Sequence, residues 1–345
     1  MPCASPFPNE TSQPWPAVRR LACIALAMLL MLAGVGSPVS VQAQATGKMW
    51  QVGVLLREAR QGGLDALIEG LREQGYVERK NMVLHLKHYA SEEEMSRFAR
   101  ELVALNPDVI VSGTGRAARA LKEATTSLPI VVIAAGDAVG QGLAKSLAHP
   151  GGNVTGLTNM SVDLTAKRLQ LLGEVAPQAK RVGVLGCPLD PNGITSRLEW
   201  SQAQLAAPTL GLQLVPIFIR HPAEMTDEFA KALGQKIQAV LVLDCGILPR
   251  QEQVTAMVNN ASLPSMYVAA LFPRADGLMS YGSDRMDQYR RAAVLVDKIL
   301  KGRKPAELPF EQPTRFDLVI NMKTAKALGL KISPVLMLRA TQVIE

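Results

Sequence analysis

The chain has 345 residues, 37 Lys+Arg against 30 Asp+Glu, 48% hydrophobic and 4% aromatic content. The positive excess is scattered, with no basic run and no interleaved aromatics, which argues against nucleic acid as a partner. Four cysteines and four histidines form no cluster at metal-ligand spacing, no G-x-S-x-G elbow is present, and no cofactor or enzymatic role is expected.

At the N-terminus, Arg19 and Arg20 precede an uncharged apolar run from Leu21 to Val35, followed by Val41-Gln42-Ala43 and Ala43-Gln44-Ala45. A basic flank, a short apolar run and a small-x-small step describe a signal peptide over residues 1–43, cleaved after Ala43 or Ala45. The run is too short for a comfortable membrane span. The arginine pair also admits twin-arginine export, although Leu21, Ala22 and Cys23 behind it fit that pattern poorly. Cleavage removes Arg19, Arg20 and Glu10, leaving 35 basic against 29 acidic residues, a balance of +6, and only Cys187 and Cys245. The mature protein is expected to be soluble and periplasmic.

From Trp50 short apolar runs alternate with amphipathic ones. "WQVGVLL" reads as a buried strand, Leu64 to Gln74 as a helix stopped by Gly75, and "MVLHLKH" as a second strand. Ser91 and Glu94 make a capping box for a helix with Met95, Phe98, Leu102 and Leu105 on one face. "DVIVSG", a helix over Ala117 to Ala124, and "IVVIAAG" continue the alternation. A second set follows: a helix over Leu164 to Val175, "RVGVLG", a helix near Ile194 to Ala207, "QLVPIFI", a helix near Ala223 to Leu233, and "AVLVLD". Continuous Val/Ile/Leu strands alternating with helices predict parallel sheets covered on both faces. Two such sets predict an α/β protein of two doubly wound, Rossmann-like lobes. "GLMSYGSD" leads into a helix carrying Met286, Tyr289, Ala293, Val296 and Leu300, closed by Gly302. The tail after it holds a strand from Phe316 to Ile320 and one short helix.

Between the two sets lies "AHPGGNVTGLTN", Ala148 to Asn159. Gly151, Gly152 and Gly156 fit no nucleotide-binding pattern, and no lysine follows them. Asn153-Val154-Thr155 is a valid glycosylation sequon. The Pro150-Gly151-Gly152 turn sets the stretch as the approach to a hinge, with Thr155 to Asn159 carrying the chain across.

"VGVLL", the segment from Leu105 to Asn159 and the segment from Ser280 to Pro334 resemble the substrate-binding proteins of ABC transporters, in particular the family whose best-known members bind tryptophan or tyrosine. The resemblance implies a type I periplasmic-binding fold with three crossings, near Thr155 to Ser161, Leu278 to Ser283 and Leu308 to Pro313. It divides the chain into an N-terminal lobe (48–158 plus 283–307) and a C-terminal lobe (159–282 plus 308–345). It implies an extracytoplasmic component, a monomer, that delivers a small ligand to an ABC permease and its ATPase. By the same analogy the ligand is an amino acid or other small carboxylate. Docking on a receptor or sensor kinase, and an enzyme on the same fold, are the alternatives. Ala138 stands where many relatives have proline after the aspartate.

Ligands in doubly wound sheets sit beyond the carboxyl ends of the strands. That rule selects Arg57 and Glu58, Ser112, Gly113 and Thr114, Gly136 and Asp137 in the first lobe. In the second it selects Cys187, Asp244 and Cys245, with Tyr281, Ser283 and Asp284 at a crossing. Ser112 to Thr114 open a helix, either as a carboxylate site or as an ordinary cap. Asp244 pairs with a ligand ammonium or caps the next helix. Arg57 forks onto a carboxylate or is a solvated arginine. Asp137 leans toward loop structure, and Tyr281 stacks on a flat ligand or lines the hinge. In the 2-1-3-4-5 strand order Cys187 and Cys245 end adjacent strands, within reach of a disulfide, or they are free core thiols.

Overall fold

A computed structural model describes residues 48–57 and 61–345; the expected signal segment and Glu58 lie outside the described residues. The first sheet has the order β2-β1-β3-β4-β5 and is parallel throughout. Its strands are β1 (Trp50–Arg57), β2 (Met82–Tyr89), β3 (Val109–Ser112), β4 (Ile130–Ala135) and β5 (Val154–Thr158). Val52 to Leu56, Val109 to Val111 and Ile130 to Val132 are buried, as two-sided coverage requires.

On one face, Leu64, Leu67 and Leu71 of α1 (Gln61–Glu73) pack with Tyr289, Ala293 and Val296, which belong to a helix near the C-terminus. On the other, Met95, Ala99 and Leu102 of α2 (Glu92–Ala104) pack with Ala117, Ala118 and Leu121 of α3 (Gly115–Ala124). Helix α2 starts as the sequence predicts. Ser91 Oγ accepts from Glu94 N at 3.2 Å, while the Glu94 carboxylate takes the N–H of Ala90 at 2.9 Å.

The second sheet runs β12-β11-β10-β9-β8-β6-β7. Its parallel part comprises β6 (Arg181–Gly186), β7 (Gln213–Phe218), β8 (Ala239–Val242), β9 (Ser265–Tyr267) and β10 (Met279–Ser283). Helices α4 (Thr165–Val175), α5 (Ile194–Ala206), α6 (Met225–Gly234), α7 (Gln251–Asn260) and α8 (Leu271–Arg274) connect and flank these strands. The tail then departs from simple alternation. Helix α9 (Arg285–Leu300) returns to the first sheet, and β11 (Phe316–Asn321) pairs antiparallel with β10. After α10 (Met322–Ala327) and α11 (Pro334–Arg339), β12 (Gln342–Ile344) adds the last strand, parallel to β11. No helix among the described residues is long and apolar enough to cross a membrane.

The glycine stretch has a different role from the expected free approach to a hinge. Val154 to Thr158 is the edge strand β5, and a Cβ on Gly156 would lie 2.0 Å from the Val132 carbonyl oxygen. Glycine is needed there because the two strands approach too closely for a side chain. The Asn153 amide donates to the carbonyls of Thr125 and Leu128, so the sequon nitrogen is engaged within the fold. Gly151, with φ +69°, makes the turn before the strand.

The chain therefore leaves the first sheet at Asn159, comes back at Asp284, and returns through residues 301–315 to β11. These crossings are tied together. Thr155 Oγ1 donates to Leu308 O at 2.7 Å, Thr158 N to Glu311 O at 2.9 Å, and Gln288 Nε2 to Thr158 O at 2.8 Å. Leu308 and Phe310 are buried in the two cores of the first lobe.

Candidate ligand-binding cleft

The carboxyl ends of both sheets face one another across a cavity of about 400 Å³. From the first lobe come Arg57 at the end of β1, Tyr89 at the end of β2, the first turns of α2 and α3, Gly136 and Gln141. The second lobe supplies Asn192, Gly193, Thr195 and Ser196, Arg220 and His221 after β7, and Asp244 to Ile247 after β8, and Arg285 at the start of α9 completes the wall. A second compartment of about 260 Å³ shares Arg57, Asp244, Cys245 and Arg285 with the first. Its wall is largely apolar, with Leu243, Leu248, Val268, Leu271, Phe272, Met286 and Tyr289. Cationic and anionic side chains thus meet at the mouth of an apolar annex, an arrangement that suits a small zwitterion with an apolar body.

Polar bonds join the lobes around this cavity. Arg116, in the first turn of α3, forks between Glu92 of its own lobe and Asp190 of the other, 2.6 Å away. Burial alone would lower the Arg116 pKa, but the two carboxylates outweigh it and raise it above the ordinary value. Asn192 donates to Glu92 and accepts from Arg119 at 3.1 Å. Gln141 Nε2 donates to Thr195 Oγ1 at 2.5 Å, and Arg57 Nη2 to the Leu248 carbonyl at 2.7 Å. The Gln141 carbonyl oxygen is buried and finds no partner among the described residues, so it is an acceptor in reserve at the cavity wall.

Of the residues selected by the strand-end rule, Arg57, Thr114, Gly136, Asp244 and Cys245 line the cavity. Thr114 is also the N-cap of α3, its hydroxyl accepting from Ala117 N at 3.2 Å. Among the described residues, the others do not line the cavity. Ser112 is fully buried and donates to Thr114 O, and Gly113 lies with Leu56 2.8 Å from where its Cβ would be. Asp137 accepts from the N–H groups of Val139 and Gly140, closing its own turn. Asp284 caps α9 by accepting from Met286 N and Asp287 N. The Tyr281 ring packs at 6.0 Å on Phe316, within the core of the second lobe.

Cys187 and Cys245 are joined in a disulfide, their Cα atoms 5.5 Å apart. Cys187 is fully buried, and Cys245 alone of the pair lines the cavity. The rule of strand ends missed Glu92, Arg116, Gln141, Asn192 and Thr195. These lie in the first turns of helices or in loops, several residues beyond the strands, where only the packing of one lobe against the other brings them to the cleft.

Residues 53–344 match the ABC transporter substrate binding protein family. The protein belongs to this family. It is a family of solute-binding proteins rather than enzymes. A relative described as a tyrosine-binding protein of Clostridioides difficile is 24% identical over 266 residues, 76% of this chain and 75% of that protein. A solved domain from Vibrio cholerae is 29% identical with a TM-score of 0.80, covering 86% of this chain and 100% of that one. An ABC domain from Streptococcus, solved in complex with L-Trp, is 24% identical with a TM-score of 0.78 over the same shares. The two-lobed α/β architecture of this substrate-binding protein is that of type I periplasmic binding proteins.

Proposed function

We propose that this substrate-binding protein captures an amino acid or other small carboxylate outside the cytoplasm and delivers it to the permease of an ABC importer. The observation that carries this reading is the two-compartment cleft, with Arg57, Arg285 and Asp244 at the junction of a polar chamber and an apolar annex. Arg57 and Arg285 face a ligand carboxylate, Asp244 its ammonium, and the annex takes an apolar side chain. The N-terminus of α3 at Thr114 adds a dipole that favours the same carboxylate. The relatives named for tyrosine and solved with L-Trp support this class of cargo.

Closure buries the ligand and presents both lobes to the permease, so the transported signal is the population of the closed state. The working form is a monomer in the periplasm, exported by a signal peptide over residues 1–43. Lobe boundaries follow the crossings, with α9 moving with the first lobe and β11 to β12 with the second.

A thermal-shift screen of protein stripped of carried-over ligand by unfolding and refolding tests the assignment. Ligand at 100 times its dissociation constant adds about 2.7 kcal/mol to stability, enough to move the midpoint visibly. A shift confined to amino acids, largest for those with bulky apolar side chains, is the expected result. A shift given only by sugars or nucleosides would overturn the cargo.

A further inference from the structure

Arg168 on α4 and Glu199 on α5 form a buried pair, 1% and 0% exposed, with Nη1 and Oε1 3.2 Å apart. The pair sits at the root of the hinge. Arg168 donates to the Ser161 carbonyl on the first crossing and to the Tyr281 carbonyl just before the second, each at 2.8 Å. Glu199 accepts the Ser161 hydroxyl and, through its other oxygen, the backbone N–H of Asp244 at 2.6 Å. Asp244 lines both compartments of the cleft. One contiguous set of bonds thus runs from the crossings to the cleft wall.

The formal charges of this set do not balance. Arg168 carries one positive charge, Glu199 and Asp244 together two negative ones, and the Arg168–Glu199 end is closed to water. The closed Arg168–Glu199 end is balanced by itself; the excess is the charge of Asp244, half-buried at the cleft wall, and it makes a second carboxylate charge beside it costly. A proton or a cation supplied from the cleft restores the balance.

We infer that Glu199 holds that proton when the cleft is empty and releases it when a ligand cation settles on Asp244, so that capture of a cationic or zwitterionic ligand locks the hinge in its ionised, salt-bridged form. The inference rests on the cleft being the ligand site. The proton leaves the Glu199 carboxyl for solvent and the carboxylate stays with Arg168, which remains protonated throughout. Ser161 serves either form, because a hydroxyl donates to a carboxylate and accepts from a carboxylic acid.

The groups facing Glu199 agree with this direction. Burial pushes its carboxyl up to about 7, with Arg168 opposing, the Asp244 charge adding to the rise, and the Ser161 hydroxyl and Asp244 N–H opposing. Tyr281 accepts from Arg168 through its carbonyl and its side chain also acts electrostatically on Arg168, while Ser196 on the same helix as Glu199 is taken by Cys187 N. Arg57 and Arg285 line the cavity beyond Asp244, and their potential acts in the same sense as a ligand cation. With the Asp244 charge neutralised, the Glu199 pKa falls. Affinity for an ammonium ligand therefore rises with pH through the range near 7 and levels off above it.

Following the Glu199 carboxyl ¹³C resonance through a pH titration of the mature ligand-free protein tests the coupling without a ligand. The resonance is assigned by its loss in Glu199→Gln or, should that variant not fold, by its displacement in Glu199→Asp. The expected midpoint is about 7 in the wild type, and about one unit or more lower in Asp244→Asn, which removes the like charge. A wild-type midpoint in the ordinary glutamate range, or one that Asp244→Asn leaves unmoved, overturns the inference. Calorimetry with L-tryptophan and L-tyrosine in two buffers of different ionisation enthalpy then counts the proton released, and indole-3-propionate, which lacks the ammonium, releases none. Absence of heat with both amino acids refutes the proposed cargo and leaves the Asp244→Asn comparison to decide the coupling.

Discussion

Replacing Asp190 with asparagine is expected to weaken ligand binding by loosening the closed state without touching the ligand's proposed charged partners. Arg116 bridges the lobes to Asp190 at 2.6 Å, with the two side chains 14% and 8% exposed, so water screens the pair poorly. A hydrogen bond to a charged group contributes about 1.5–3 kcal/mol. Asparagine keeps a neutral acceptor and Arg116 keeps Glu92, so the loss specific to closure is about 1–2 kcal/mol, or roughly 5–30-fold in the closed-to-open ratio. Opening restores water to Asp190 and leaves the Glu92 pair intact, so the loss falls on the closed state. If the empty protein rests open, the apparent Kd rises by the whole factor; if it rests closed, the rise is smaller and follows the closed fraction lost. Calorimetry gives the Kd, and small-angle scattering of the empty and filled protein gives the closed fraction. A double-mutant cycle with Arg116→Gln isolates the pair. An Asp190→Asn protein that keeps its Kd within twofold and its closed fraction unchanged would refute the latch.

Two further outcomes follow from the covalent and titratable groups. Reduction, or replacement of both Cys187 and Cys245 by serine, releases a constraint across 58 residues. That is about 4 kcal/mol of unfolded-state entropy on the chain-entropy account; the melting midpoint of the mature protein should fall by several degrees, with thiol titration showing no free thiol in it before reduction. Tyr76, buried and donating to Asp297 at 3.0 Å, has its hydroxyl pushed up to about 12 from 10.0 by burial and then by Asp297. Its folded pKa lies above its unfolded one, so its contribution to stability is present below pH about 10 and is lost as pH rises toward 12. Tyr76→Phe should flatten that part of the stability curve; equal slopes for the two proteins between those pH values would count against it.

The sequence by itself determined the architecture. Continuous apolar runs such as Val52 to Leu56 can be buried only by helices on both faces, and their alternation with amphipathic segments leaves a doubly wound sheet as the economical solution. The strand order that follows placed Cys187 beside Cys245 and put Arg57, Thr114 and Asp244 at one end of the sheets, because these relations depend on local pattern and chain direction alone. Tertiary structure decided the rest. Gly156 looked like hinge freedom and is instead a close strand contact, visible only once Val132 is known to lie opposite. Asp137, Asp284 and Ser112 are polar residues at strand ends and spend their bonds on their own turns and caps, which residue type does not reveal. Arg116, Gln141, Arg168 and Glu199 gained their places because two lobes and three crossings converge on them, and no periodicity within one segment records a partner tens of residues away.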